Sequence, residues 1–240
     1  MVSVCVATYN GVRFIEEQLR SILACVEPTD EVIISDDGST DGTLGVLEGF
    51  ASRYSNVRVI SGPRRGLIAN FDHLLSQAKG EVVFLSDQDD VWHIDKVQKV
   101  LEAFSSTHCD VVVHDAQLVD ANGAPMGETL YGLRHSKSGL LKNLVKNSYV
   151  GCCMALRRDL LSTALPIPEH IEMHDWWIGL IADSTAKTCF IDSILLDYRR
   201  HDSNMSGMSH YPLAKMIRNR AVMLAELVKR VFRVGATEIR

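Results

Sequence analysis

Four short apolar runs, Val2–Ala7, Val32–Ser35, Val57–Ile60 and Val82–Leu85, fall within the first hundred residues, with helical periodicity between them. Phe14, Ile15, Leu19, Ile22 and Leu23 repeat at helical spacing over about 12–24. A second helix is expected from Asp41 or Gly42 to Tyr54, and a third holds Asn70, Phe71, Leu74 and Leu75 before Gly80. Runs this short and this apolar read as buried strands, and strand–helix alternation reads as a parallel sheet covered by helices. Ligands of such sheets bind outside the carboxyl ends of the strands. Thr8-Tyr9-Asn10, Asp36-Asp37 and Asp87-Gln88-Asp89-Asp90 each follow a strand directly, so they should converge on one crevice. No Gly-x-Gly-x-x-Gly follows the first strand, and no Gly-x-x-x-x-Gly-Lys-Ser/Thr occurs. A dinucleotide fold or a P-loop would lack its phosphate-binding device.

Three carboxylates in four positions at the end of the fourth strand repel one another. A hard cation such as Mg²⁺ or Mn²⁺ relieves that repulsion, while a solvated acidic turn with a helix cap is the plainer reading. The bulk of the chain narrows the context. Its 240 residues, 46% hydrophobic and 23% charged, suffice for one large α/β domain or two small ones. No apolar run approaches the roughly 20 residues that span a bilayer, and no basic region precedes the first apolar residues as in a secretory signal. The six cysteines show no Cys-x-x-Cys spacing, which argues against zinc and for reduced thiols in a cytoplasmic core. The net charge of −5 hides a basic tail. From Pro212 onward, seven Lys/Arg face two Glu, a net of +5 that leaves −10 on residues 1–211. Nucleic acid is therefore no partner for the main body.

Ala7-Thr8-Tyr9-Asn10-Gly11, Ile34-Ser35-Asp36-Asp37-Gly38-Ser39-Thr40-Asp41 and Ser86-Asp87-Gln88-Asp89-Asp90, in this order and spacing, resemble the opening motifs of family 2 glycosyltransferases. The resemblance implies an α/β fold of the GT-A type, a mostly parallel nucleotide-binding sheet flanked by helices with a less regular acceptor-binding second half. It covers about residues 2–207 and divides 1–211 into 1–110 for the nucleotide-sugar and 111–211 for the acceptor, while charge and apolar spacing mark a basic amphipathic tail at 212–240. It implies an inverting, metal-dependent transfer from a nucleotide-diphosphate sugar. Thr8, Tyr9, Asn10, Asp36 and Asp37 would meet the donor, with Asp36 facing the pyrimidine and Asp87 near the ribose or sugar. Asp89 would bind the metal. From the residues alone, Asp36-Asp37-Gly38 also fits an Asx turn with a helix cap.

The second half is read more coarsely. Asp110–Asp115 and Gly151–Leu156 are expected as strands, Asp120–Gly123 as a hairpin turn, Leu140–Val145 as a helix, and a short helix follows Arg158. His174-Asp175-Trp176-Trp177 opens another helix, where Asp175 alone would be a first-turn acid complementing the dipole. The segment resembles the family's base motif, which makes Asp175 the base and Trp176 or Trp177 a wall for a sugar ring. Tyr198-Arg199-Arg200-His201-x-x-Asn204 resembles the segment that closes on the diphosphate, with His201 completing the metal shell and Arg199 or Arg200 facing phosphate. The motif order is most similar to the bacterial rhamnosyltransferase branch, with thymidine-diphosphate donors. The loop at Arg64-Arg65-Gly66 with Asn70 matches the family only in part. Rival readings are an Asp-x-Asp phosphohydrolase, which would carry its nucleophile on the first strand, and a non-catalytic nucleotide-sugar module. The acceptor implied is a glycan or lipid-linked group, and self-association stays open. In the tail, Met216, Ile217, Leu224, Leu227, Val228, Val231 and Phe232 repeat at helical spacing among six Lys/Arg. That pattern fits either a helix docked on the domain or a helix lying on the inner face of the cell membrane.

Overall fold

The computed structural model describes residues 1–202 and 212–237, the last four of these by backbone alone. Asn204, the last residue of the diphosphate-type motif, lies outside the described residues.

The strands are β1 (Val2–Thr8), β2 (Glu31–Asp36), β3 (Val57–Ser61), β4 (Val82–Ser86), β5 (Val91–Trp92), β6 (Val111–Val119), β7 (Pro125–Thr129), β8 (Met154–Arg157) and β9 (Thr188–Arg199). They form one sheet in the order β3-β2-β1-β4-β8-β6-β9-β5, with β7 paired to β6. The first four are parallel, as the alternation requires. β1 and β4 are buried along their whole length, which is why both read as unbroken apolar runs. Register places Thr8 beside Asp36 and Val6 beside Ser86, so the loops after β1, β2 and β4 leave the sheet at one edge.

Helices α1 (Ile15–Cys25), α2 (Thr43–Ala51), α3 (Leu67–Leu75) and α4 (Lys96–Thr107) join these strands and lead to β6. In α1 the i, i+4, i+7 positions Ile15, Leu19 and Ile22 are fully buried, each contributing about 2 kcal/mol of apolar transfer. The second half adds α5 (Leu130–Arg134), α6 (Leu140–Val145), α7 (Leu161–Ala164), α8 (His174–Thr185) and α9 (Leu213–Thr237). Here the sheet turns mixed: β8 runs antiparallel between β4 and β6, β9 parallel to β6, and β5 antiparallel on β9.

Three expected boundaries shift. Gly151–Cys153 is a single 3₁₀ turn and not the start of a strand, because Gly151 N is drawn to the Asp175 carboxylate and Cys153 N to Val150 O. The segment after Arg158 begins as another 3₁₀ turn before α7. β6 also runs on to Val119 and folds back as a hairpin with β7, closed by Asp120 accepting from Asn122 N and Ala124 N.

The tail docks with one face only. Met223 and Leu227 are buried in the core, and Arg230 donates to the carbonyls of Thr163, Leu165 and Pro166. Leu213, Ile217, Leu224, Val228 and Phe232 stay exposed. Among the described residues, no helix is long and apolar enough to cross a membrane.

Candidate active site

At the carboxyl edge of β1, β2 and β4 lies a cavity of about 900 Å³. Thr8, Tyr9 and Asn10 line it from the first loop, Asp37 and Gly38 from the second, and Asp87, Gln88 and Asp89 from the fourth. Arg64, Gly66 and Asn70 close one side, while Arg134, Asn147, Gly151, His174 and Asp175 face them from the second half.

Gln88 joins the first and fourth loops. Its Oε1 accepts from Thr8 Oγ1 at 2.6 Å and Tyr9 N at 2.9 Å, and its Nε2 donates to Tyr9 O. In the second loop, Asp36 Oδ1 accepts from Gly38 N and Ser39 N, with Ser39 Oγ on Oδ2. Asp36 is buried outside the cavity lining, in the Asx-turn role that the residues alone allowed. Asp37 instead holds the third loop through Arg64 N at 2.6 Å and Gly66 N at 2.8 Å, and lines the cavity. Behind it, Asn70 bonds Ser35 with both amide atoms. Gly62 is tied to this wall, since a Cβ there would stand 2.6 Å from Asn70 Oδ1 and 2.9 Å from Asp36 O.

The acidic loop concentrates charge. Burial pushes the Asp87 carboxyl well above its ordinary range, with Asp90, Asp89 and Asp175 adding repulsion. Burial, reinforced by Asp89, pushes Asp90 up to about 7. Asp89 is raised by burial and pulled back by His201, whose Nε2 lies 2.8 Å from Asp89 Oδ2. A buried ammonium lies beside the cluster. Lys96, fully buried, donates from Nζ to Cys152 O at 2.8 Å and sits 3.8 Å over the Trp92 ring. Burial holds its pKa down at about 8. Asp90 Oδ2 is buried without a conventional hydrogen-bond partner among the described residues, in the neighbourhood of the Cys152 thiol. Asp87, Asp90 and Cys152 present atoms within 4.8 Å of one another. Burial raises the thiol, so the two carboxylates are the hard-ion donors of that group, while His201 lies beside it against Asp89.

Across the cavity, Asp175 sits in the first turn of α8. Its Oδ2 accepts from Gly151 N at 3.1 Å and its Oδ1 from Trp176 N at 2.6 Å. His174 stacks on Phe71 at 3.7 Å, and burial holds it neutral, with a pKa of about 4.

Three expectations change on the structure. Trp176 and Trp177 are no sugar wall. Both are buried, with indole N–H groups on Asn143 O and Ala164 O, because the core side of α8 faces α6 and α7. Arg199 does not line the cavity. It is buried behind the acidic loop, donating to Asp89 O, Ala121 O and Glu17 Oε2, so it fixes the loop from behind. Arg200 stands by the Tyr198 ring, also off the lining. Among the described residues, the cationic side chains that line the cavity are Arg64 and Arg134. Lys96, Gln88 and Arg134 were not singled out from sequence. Only Gln88 carried a signal, its place between two motif aspartates.

A family model described as "Glycosyl transferase family 2" matches residues 3–165. The chain is 27% identical over 212 residues to an uncharacterised glycosyltransferase of Nostoc sp., covering 85% of this chain and 66% of that protein. It is 27% identical over 224 residues to the Shigella flexneri dTDP-rhamnosyl transferase RfbG, covering 84% of this chain and 73% of that one. Among solved structures it resembles S. aureus TarS 1-349 in complex with UDP-GlcNAc, at TM-score 0.73 and 22% identity over 97% of this chain and 72% of that one. It also resembles the mannosyltransferase PcManGT from Pyrobaculum calidifontis in complex with GDP-Man and Mn²⁺, at TM-score 0.65 and 18% identity, covering 98% and 75%.

Proposed function

The chain belongs to glycosyl transferase family 2 and has the GT-A fold, and from that premise we propose that it moves a sugar, with inversion, from a nucleotide-diphosphate donor to a glycan or lipid-linked acceptor in cell-surface polysaccharide synthesis. One observation carries this reading: the loops after β1, β2 and β4 meet Asp175 across a single cavity. Thr8, Tyr9, Asn10 and Asp37 hold the nucleoside, and Asp87 the ribose or sugar. Asp89 and His201 hold a divalent ion, Mg²⁺ or Mn²⁺, which when bound stabilises the negative charge of the departing diphosphate. Arg64 and Arg134, both on the lining, offer further positive charge to the phosphates.

The chain's own chemistry is proton transfer and exclusion of water. Asp175, oriented by two backbone N–H groups, takes the proton of the acceptor hydroxyl as that oxygen attacks the anomeric carbon. A single displacement inverts the configuration. His174, kept neutral by burial, adds no competing charge beside the base. A thymidine-diphosphate rhamnose donor is supported by the likeness to RfbG.

The test is release of nucleoside diphosphate from dTDP-rhamnose and from UDP- and GDP-sugars with Mn²⁺, with and without a glycan-lipid acceptor fraction. Acceptor-dependent release from one donor is expected. Hydrolysis of p-nitrophenyl phosphate without such release would instead favour a phosphohydrolase.

A further inference from the structure

We propose that α6 and α9 together form a face that docks on an anionic lipid bilayer and sets the cavity mouth against it. The inference deepens the acceptor side of the proposed function and rests on that reading for its purpose, though not for its measurement. On α6, Leu141 is 80% and Val145 65% exposed, one turn apart. The stretch from Arg134 to Lys146 carries four basic residues and no acidic one. On α9, Leu213 and Phe232, 72% and 76% exposed, end a row of exposed apolar residues about 28 Å long at 1.5 Å per residue. Arg218 and Lys229 are exposed on the same helix, Lys229 being paired with Glu226 at 2.7 Å.

The two helices are joined at Arg220. Its Nε donates to Val145 O at 2.9 Å, and its guanidinium lies 5.7 Å from the Trp176 ring. Ile217 and Leu224, exposed, flank Arg220 within about one turn on α9, and Val145 flanks it on α6. The apolar residues of both helices therefore emerge beside one joint. Arg134 and Asn147, at either end of the α6 segment, line the cavity, so this face borders its mouth.

Charge decides the occupant. A second copy meeting this face symmetrically would set the cations Lys137, Lys146 and Arg218 against one another, and interface centres are depleted in charge. An anionic headgroup layer complements those cations while its acyl boundary takes the leucines, the habit of a helix that lies in the interface. The absence of a spanning helix among the described residues agrees with surface attachment.

The experiment is co-sedimentation of the full chain with phosphatidylcholine vesicles, with and without phosphatidylglycerol. It compares wild type with the triple variant Lys137→Gln, Leu141→Gln, Lys146→Gln. Binding only to phosphatidylglycerol vesicles, lost at high salt, is expected. The variant should bind about 30-fold more weakly from its two charges alone, with an unchanged melting temperature and unchanged nucleotide binding. Wild type left in the supernatant at low salt, equal binding to neutral vesicles, or a variant that sediments like wild type overturns the proposal. A dimer in light scattering that the variant dissociates assigns the face to a second copy and overturns it equally. Because vesicle binding needs no turnover, its failure leaves the transfer reaction standing.

Discussion

Asp175→Asn keeps the size of the side chain and removes its charge. The carboxylate accepts on both oxygens, from Gly151 N and Trp176 N. An amide keeps one acceptor and turns its NH₂ group toward the other N–H. One hydrogen bond is lost and two donors oppose each other, costing about 1–3 kcal/mol. For a domain of this size that lowers Tm by about 2–12 °C. The chemical effect is larger: losing a positioned general base costs on the order of 10²–10⁴ in kcat. Nucleotide binding should hold or tighten slightly, since Asp175 repels the carboxylate of Asp87. Thermal melting, calorimetric nucleotide titration and acceptor-dependent release of nucleoside diphosphate read the three effects separately. A variant that melts lower yet transfers within a few-fold of wild type would make Asp175 a structural cap. A parallel loss of nucleotide affinity and kcat would place it on the donor and refute its role as base.

Asp89→Asn should cut kcat by on the order of 10² or more and abolish the response to added Mn²⁺; wild-type turnover that survives EDTA contradicts the metal assignment. Burial holds His174 neutral down to about pH 4, whereas an unfolded histidine takes its proton near 6.5. Between those values the unfolded chain binds the extra proton, so stability falls as the pH drops through the window. His174→Phe, still stacked on Phe71, should flatten Tm against pH from 6.5 to 4, and an unaltered slope would show that another group titrates there. Truncation before Leu213 removes buried Met223 and Leu227, about 4–6 kcal/mol of apolar burial. Its Tm should fall by about 10 °C or more, and a truncated chain as stable as the whole would make the tail an independent unit.

β1, β2 and β4 were legible because both of their faces are buried almost throughout, so no alternation blurs the runs, and half-buried β3 was legible from its short apolar run alone. Their loops could then be placed by topology alone, and Thr8, Asp37, Asp87 and Asp89 do share a cavity. Legibility fails where a residue's role depends on partners distant in sequence. Two-residue β5 exists only because β9 pairs with it, more than a hundred positions away. Arg199 looked like a phosphate ligand, yet Glu17 and the carbonyls of Asp89 and Ala121 claim it. Trp176 and Trp177 were ambiguous because indoles serve cores and sugar platforms alike, and only the carbonyls that meet their N–H groups decide. Lys96 gave no signal, since a lysine opening a helix ordinarily points to water.

The acidic loop is secured by residues far along the chain: Asp90 Oδ1 accepts from Arg199 N, and Asp89 meets His201, 109 and 112 positions later. Time therefore enters the assembly of this site. At about 5–20 residues per second, the ribosome delivers His201 on the order of 10 s after Asp89. Until then the parallel core has its strands but not the groups that lie against its carboxylates. A nascent chain paused before Met154 would hold a sheet whose β4 edge waits for β8 and whose acidic loop stands open to solvent. Long-range closure of this kind slows folding. It also ties the site's completion to synthesis past His201, so chains ended before that residue would carry the nucleotide half without a finished centre.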